Sequence, residues 1–273
     1  MTTTTTHDTK RGEDTRARIT VLAEVPAVWE AALDELLALV PLPDPGFGNL
    51  LWQAIVGAWP ASSGAADLRE RLHAYAEKAM REAGDRTTWT DPDAAYEAAV
   101  HAAVDAALDD DAVRRVVEGV LTQIADPGWV NALSAKLLAL TMPGVPDVYQ
   151  GSELWQQSLV DPDNRRPVDY ALRTSLVAEL AEGARPALSG GVDDPGAAKL
   201  LVTRAALRLR RDQPELFETY LPLTATGPAA AGPALTAEDA VEAVVVEDQA
   251  QDGVVVGAAD VGPGGGGDQG DDG

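Results

Sequence analysis

Residue types that build many catalytic and metal sites are scarce in this chain. Its 273 residues include no cysteine and only three histidines. The absence of cysteine excludes disulfide bonds, thiolate metal sites and a cysteine nucleophile. Three histidines argue against a multi-histidine metal site. We therefore expect neither a metal ion nor another cofactor.

Positive charge and long apolar runs are scarce as well. The chain has 21 Lys and Arg against 44 Asp and Glu, a net charge of −23, and no basic residue follows Arg211. Such a chain repels nucleic acid and anionic membrane surfaces, so a neutral or cationic partner is expected. No apolar run reaches transmembrane length and the N-terminus lacks a signal-peptide pattern, which predicts a cytoplasmic protein.

What is present in quantity is helix-forming sequence. Hydrophobic residues make up 45% of the chain, enough to bury a core. Apolar residues recur at helical spacing from Gly12 onward. Pro26 is expected in the first turn of the second helix, and Gly84 at the C-terminal cap of another. The predicted helices further along the chain span residues 94–108, 113–124, 129–140, 172–180 and 197–211.

Proline and glycine mark the expected helix ends. Asp91, Pro92 and Asp93 are typical of an N-cap with proline at the first helical position. The sequence Asp126, Pro127, Gly128 predicts the end of the helix over 113–124.

The last third of the chain changes character twice. Residues 142–170 are rich in Pro, Gly, Asp and Asn, with one β-prone unit at 145–149, and such loops often carry sites. Residues 244–246 and 254–256 could form a strand pair. Residues 262–273 consist mostly of Gly and Asp and are expected to be disordered.

Three polar motifs are candidates for chemistry, and each has a structural alternative. Residues 6–11 read THDTKR and could carry site residues or could form a helix N-cap at Asp8 or Thr9 with solvated basic residues. Residues 143–153 read PGVPDVYQGSE and could place Tyr149, Gln150 and Glu153 at the end of a barrel strand or form a simple connector. Residues 161–169 read DPDNRRPVD and could bind sugar hydroxyls or form a surface salt-bridge loop.

Together these segments resemble the maltooligosyltrehalose synthase family of the α-amylase superfamily. The stretches that carry the resemblance are HDTKRGEDTRARITVL from His7, NLLWQAIVGAWP from Asn49, RLHAYAEKAMREAGDRTTWTDPDAAYE from Arg71, LLALTMPGVPDVYQGSELWQQSLVDPDNRRPVDY from Leu137 and KLLVTRAALRLRRDQPELF from Lys199. They follow one another in the family's order, from about residue 5 to residue 225, and the block around residues 147–170 is the most specific.

The resemblance implies an α/β fold of which this chain is the C-terminal portion. It implies part of a (β/α)8 barrel with a large inserted helical subdomain and a degenerate C-terminal β region, the chain itself being mostly α. The implied divisions are residues 1–40 for barrel strand 7 and the following helices, 41–136 for the helical insert, 137–212 for the strand 8 region, substrate loop and closing helices, 213–261 for the β region and 262–273 for a disordered tail.

The resemblance also implies an activity and its residues. The family converts the reducing-end α-1,4 bond of a maltooligosaccharide into an α,α-1,1 bond by intramolecular transglucosylation, a step in trehalose biosynthesis. Asp8 would be the third catalytic carboxylate. The implied substrate-binding residues are His7, Lys10, Arg11, Tyr149, Gln150, Glu153, Asp161, Asp163, Arg165 and Arg166.

The same resemblance predicts that this chain needs a partner. The family's nucleophilic Asp and acid/base Glu lie on earlier barrel strands, which the sequence does not contain, and a retaining glycosidase needs both. Catalysis is expected only if an N-terminal half of the barrel is supplied. The alternatives are a non-catalytic carbohydrate-binding or interaction fragment, an α-amylase-type hydrolase fragment and a remnant without function.

Overall fold

Helices dominate the part of the chain that can be described. The computed structural model describes residues 1–60, 67–186, 196–218 and 220, all within the unit Met1–Pro222. Its eight α-helices there are α1 (Glu13–Thr20), α2 (Pro26–Leu39), α3 (Pro45–Ala58), α4 (Leu68–Ala83), α5 (Ala94–Asp109), α6 (Asp111–Thr141), α7 (Tyr170–Ala181) and α8 (Ala197–Asp212). Short 3-10 turns occupy Val21–Ala23, Asp163–Arg165 and Pro214–Phe217. The expectation of a mostly α chain is confirmed.

Local signals set several helix ends as predicted. Pro26 lies in the first turn of α2, where its missing N–H costs no helical hydrogen bond. Gly84 ends α4 in the left-handed region, with φ 72°, a conformation that glycine adopts without strain. Asp44, which was not predicted as a cap, caps α3 through its side chain, which accepts hydrogen bonds from the backbone N–H groups of Gly46 and Phe47.

Two expectations about helix ends are wrong. Asp93, not the residue before proline, is the N-cap of α5, and Pro92 lies outside the helix. Pro127 does not end a helix but lies inside α6, which continues to Thr141. A proline inside a helix removes one hydrogen bond, and the tertiary contacts of α6 offset that loss. Gly128 packs so tightly on α1 that an added Cβ would lie 2.9 Å from the Cα of Arg18.

The apolar core lies between α2, α3, α4, α5 and the first half of α6. It contains the fully buried side chains of Trp52, Leu72, Val100, Val117 and Ile124. The second half of α6 packs against α1 and α8 instead. This second junction buries the large apolar side chains of Trp129, Leu133 and Leu140 together with the charged side chain of Lys136.

The β-structure in the described part of the chain is limited to isolated bridges. Thr2 pairs in parallel with Pro146, within the unit predicted to be β-prone, through hydrogen bonds from Thr2 N to the Val145 carbonyl and from Asp147 N to the Thr2 carbonyl. Arg11 pairs in antiparallel fashion with Leu159. The predicted strand pair at 244–246 and 254–256, nearly all of the β region at 213–261 and the tail at 262–273 lie outside the described residues.

Candidate functional site

The candidate site begins with a polar turn just before α1. The turn of residues 6–9 is closed by backbone and hydroxyl hydrogen bonds between Thr6 and Thr9. His7 and Asp8 project from it, and their side chains form a 3.1 Å pair between Nε2 and Oδ2. The side chain of Asp8 is 84% exposed and that of His7 is 56% exposed. A fixed turn thus presents a carboxylate and an imidazole to the exterior.

A second segment, the 161–166 loop, lies against this turn. The side chain of Asn164 is buried, and its Nδ2 donates to the carbonyl oxygens of Thr6 (3.1 Å) and His7 (2.8 Å). The structure therefore brings two of the three predicted motifs together. The link is made by a residue that was not among the predicted site residues.

The charged residues of the 161–166 loop are already engaged with protein partners. Arg71 on α4 grips both carboxylate oxygens of Asp163, with Nε 2.6 Å from Oδ1 and Nη2 3.0 Å from Oδ2. Arg165 lies 2.8 Å from Asp161 and is about half exposed. Arg166 pairs with Asp67 at 3.2 Å. Asp163 is thus a structural anchor of the loop, whereas Arg165 and Arg166 remain partly open to solvent.

Lys10 and Arg11 point toward α4. Lys10 is 3.4 Å from Glu82 and largely exposed. Arg11 donates to the Tyr75 hydroxyl at 3.3 Å and to the Leu50 carbonyl at 3.5 Å. These contacts fix the direction in which the chain leaves the turn.

The segment after the Pro146 bridge carries the remaining predicted residues. Tyr149 is half-buried and Gln150 is exposed at the start of a turn. Glu153 forms an ion pair with Arg173 on α7, and Arg173 also donates to the Gly151 carbonyl at 3.0 Å. Glu153 therefore helps to fasten its turn to α7.

A cleft of about 260 Å³ lies where the 161–166 loop meets α4. Tyr75, Asp161, Asp163 and Arg166 are among the residues that line it. Aromatic and charged side chains around a concave surface are suited to a polar ligand such as a sugar.

Sequence reasoning missed a buried cluster of charges behind the turn. Glu13 lies 2.6 Å from Lys136 and 2.6 Å from Lys199, and Lys199 is 2.8 Å from Asp14. Burial raises the pKa of Glu13, but the charges of Lys199 and Lys136 outweigh it and lower that pKa to about 2. A lysine inside each of the apolar stretches 132–140 and 197–202 was the available signal.

The cluster supports the start of the candidate turn. Glu13 accepts hydrogen bonds through Oε2 from the hydroxyls of Thr4 and Thr5, and its own backbone N–H donates to Thr5 Oγ1 at 3.0 Å. Asp14 accepts from the backbone N–H of Gln156 at 2.6 Å. The segment before His7 is consequently tied to α1, α6 and α8 at once.

Two classes of site were also sought in the described part of the chain. No group of three or more His, Asp or Glu side chains there is arranged to hold a metal ion. None of the described helices is both long and apolar enough to cross a membrane.

The chain was compared with protein-family models, with curated proteins and with solved structures. No family model matches the chain. A protein of Mycobacterium tuberculosis strain H37Rv, provisionally named maltooligosyl trehalose synthase, is 49% identical over 233 residues, which are 84% of this chain and 28% of that protein.

Solved structures agree with that relative. The maltooligosyltrehalose synthase of Arthrobacter ramosus matches 84% of this chain and 29% of its own length, at 53% identity and a TM-score of 0.77. A hypothetical maltooligosyl trehalose synthase of Sulfolobus tokodaii matches 81% of this chain and 30% of its own length, at 31% identity and a TM-score of 0.69. Over most of its length the chain is therefore similar to maltooligosyltrehalose synthases, and it spans less than a third of the length of the relatives that it matches.

Proposed function

We propose that this chain supplies one catalytic carboxylate and part of the substrate site of a maltooligosyltrehalose synthase. The reaction is intramolecular transglucosylation of a maltooligosaccharide, from a reducing-end α-1,4 bond to an α,α-1,1 bond. The observation that carries the proposal is the exposed His7–Asp8 pair on a turn whose backbone is held from two sides. A group that stabilises a transition state needs both access to substrate and a fixed position.

The proposed chemistry follows the retaining route. A carboxylate attacks the anomeric carbon of the glucosyl unit, the bond to the terminal glucose breaks, and a covalent glucosyl-enzyme forms. The released glucose then attacks through its anomeric hydroxyl and displaces the carboxylate. In this scheme Asp8 stabilises the positive charge of the oxocarbenium-like transition state, and His7 donates a hydrogen bond to a sugar hydroxyl. The nucleophile and the acid/base group come from the remainder of the family fold.

We further propose that residues 1–40 and 137–212 form the barrel portion and that 41–136 form the helical insert. The parallel bridge between Thr2 and Pro146 supports this division, because consecutive strands of such a barrel are neighbours and parallel. The proposed boundary at residue 136 falls within α6, so one continuous helix would join insert and barrel.

The proposed substrate contacts rest on different degrees of exposure. Lys10, Gln150 and Arg165 are exposed, so a sugar can approach them from solvent. Arg11, Tyr149, Asp161 and Arg166 are partly buried. Glu153 and Asp163 already have arginine partners, so their proposed part is to shape the site.

The test is reconstitution of activity. The chain is incubated with maltopentaose, alone and with the part of the Arthrobacter ramosus synthase that precedes the matching segment. Loss of reducing ends with appearance of a non-reducing isomer is expected only in the mixture. Asp8→Asn should abolish it, since the amide has no negative charge to offer the transition state. Activity of the chain alone, or an unaffected Asp8→Asn mixture, would overturn the assignment.

A second candidate function is carbohydrate binding by the chain without catalysis. It is favoured by the cleft between α4 and the 161–166 loop. Calorimetric titration of the isolated chain with maltopentaose tests it. Binding that is lost in Arg166→Ala, in a mixture that remains inactive, would support this second function over the first.

A further inference from the structure

The turn of residues 6–9, which carries His7 and Asp8, is held by two side chains to which no function was assigned. Arg16 on α1 bridges the two chain segments that flank this turn. Its Nη2 donates to the Thr4 carbonyl and its Nη1 donates to the Arg11 carbonyl at 3.1 Å. One guanidinium thus joins the residues on either side of the turn. Its rigid fork can serve two carbonyl oxygens at once, which a lysine ammonium on a flexible chain does less well.

Asn164, from the 161–166 loop, holds the turn of residues 6–9 through its side chain. The Thr6 and His7 carbonyl oxygens can only accept, so the side-chain atom facing them must be the amide nitrogen. Asn164 is 1% exposed, and a buried hydrogen bond of this kind is costly to leave unmade. The contact to the carbonyl of His7 lies one peptide bond from Asp8.

The residues that precede Asn164 in the 161–166 loop are themselves held in place. Its neighbour Asp163 accepts from Arg71 and from the backbone N–H of Leu159, at 2.6 Å in each case. Lys78 on α4 donates to the Asp161 carbonyl at 2.9 Å. The loop is therefore fastened to α4 while its asparagine faces the turn. These contacts point to a supporting function for the 161–166 loop, besides any contact it makes with sugar.

We propose that Asn164 and Arg16 are positioning residues that fix the His7–Asp8 turn for catalysis. The inference rests on the proposed function, since a fixed turn matters only if Asp8 serves the reaction. Neither residue touches substrate in this scheme. Each acts by holding backbone carbonyls, so that the carboxylate of Asp8 keeps its distance and direction.

The first measurement does not depend on activity. Backbone hydrogen exchange is followed by mass spectrometry in the full 273-residue chain, comparing wild type with Asn164→Asp and Arg16→Lys. Asn164→Asp replaces the donor with an oxygen that repels both carbonyls. Faster exchange is expected in peptides covering residues 5–11, with α5 unchanged. Unchanged exchange at 5–11 in both variants would overturn the proposal whatever the activity.

The second measurement is a split of kcat from KM in the reconstituted mixture. A small misplacement of a catalytic group can cost about 100-fold in rate. Both variants should therefore lose roughly that factor in kcat, with KM changing less than about threefold. A merely structural contribution would lower the amount of active enzyme only modestly at a temperature where the variant remains folded.

Asn131→Asp is the matched control. Asn131 on α6 also donates from its side-chain amide to a backbone carbonyl, that of Ala17, at 3.4 Å. The change is chemically the same, but its acceptor lies on α1 and not in the turn, so exchange at 5–11 and kcat should stay at wild-type values. Faster exchange at 5–11 with normal kcat in both test variants would overturn the positioning proposal.

An inactive wild-type mixture would distinguish failure of the proposed function from failure of the proposal that Asn164 and Arg16 hold the turn. If exchange at residues 5–11 still increased in both variants, the proposed function would be refuted and the clamps on the turn would stand as structural contacts. The inference that they serve catalysis would then fall with the function on which it rests.

Discussion

The two halves of α6 show how differently this chain holds itself together. The first half buries Val113, Val117, Val120 and Ile124 in the apolar core. The second half also buries Trp129, Leu133 and Leu140, but it places Lys136 in the charged cluster with α1 and α8. Apolar packing tolerates substitutions that conserve side-chain volume, whereas a buried charge is stable only with its partners in place. We therefore expect stability and site geometry to be most sensitive to changes at the charged junction.

The largest expected effect comes from removing one charge of that junction. Lys199 is fully buried and lies within 2.8 Å of both Glu13 and Asp14. Lys199→Met leaves two acidic groups buried with less compensation. We expect the free energy of unfolding to fall by about 3–5 kcal/mol, measured by urea denaturation followed by circular dichroism.

A surface ion pair provides the control for Lys199→Met. Lys10 pairs with Glu82 at 3.4 Å, but its side chain is 69% exposed. Lys10→Met should cost at most about 1 kcal/mol, because solvent screens the pair. Equal losses in the two variants would mean that the buried cluster does not differ energetically from a surface pair.

The next prediction concerns pH. The pKa of Glu13 is about 2 in the folded chain, against 4.5 for a free glutamate. The unfolded state therefore binds more protons over this range, so the stabilisation by Glu13 is present above about pH 4.5 and is lost as pH falls toward about 2. Wild type should lose stability more steeply over this range than Glu13→Gln. The free energy of unfolding is measured by denaturation at a series of pH values.

Glu118→Gln supplies the reference for this pH series. Glu118 is an exposed carboxylate on the first half of α6. Its variant should follow the wild-type pH profile. If Glu13→Gln also followed that profile, the charged cluster would not be the source of the acid sensitivity.

A smaller effect on stability is expected at Gly128, near the middle of α6, where the helix lies close to α1. A Cβ on Gly128 would lie 2.9 Å from the Cα of Arg18, which is backbone and cannot easily move. Gly128→Ala should therefore lower the free energy of unfolding by about 1–3 kcal/mol through overpacking. Thermal denaturation of the two proteins measures the difference.

Gly119 in the first half of the same helix should respond in the opposite direction. A Cβ there would meet nothing within 4 Å. Gly119→Ala should raise stability by about 0.5–1 kcal/mol, since alanine loses less backbone entropy on forming helix. Destabilisation of both variants by the same amount would contradict the tight contact between α6 and α1.

The sequence predicts the apolar half of this comparison far better than the charged half. Helical spacing and caps such as Gly84 act over a few residues, so they are readable along the chain. Pro127 misled because a local breaker signal was outweighed by packing at Gly128. Lys199 and Asp14 are 185 positions apart, and no local pattern pairs them. Asn164 was missed for a related reason: backbone carbonyls, its partners here, are present at every residue.

The smallest effect is expected from removing a local signal, the N-cap of α5. The side chain of Asp93 accepts hydrogen bonds from the backbone N–H groups of Ala95 and Tyr96, at 3.0 Å each. Asp93→Ala leaves both donors without that partner and should cost about 1 kcal/mol, measured by urea denaturation. Asp91→Ala is the control, because Asp91 contributes its backbone N–H to Thr88 Oγ1 and keeps that bond. Equal effects of the two changes would mean that tertiary packing, and not the cap, sets the start of α5.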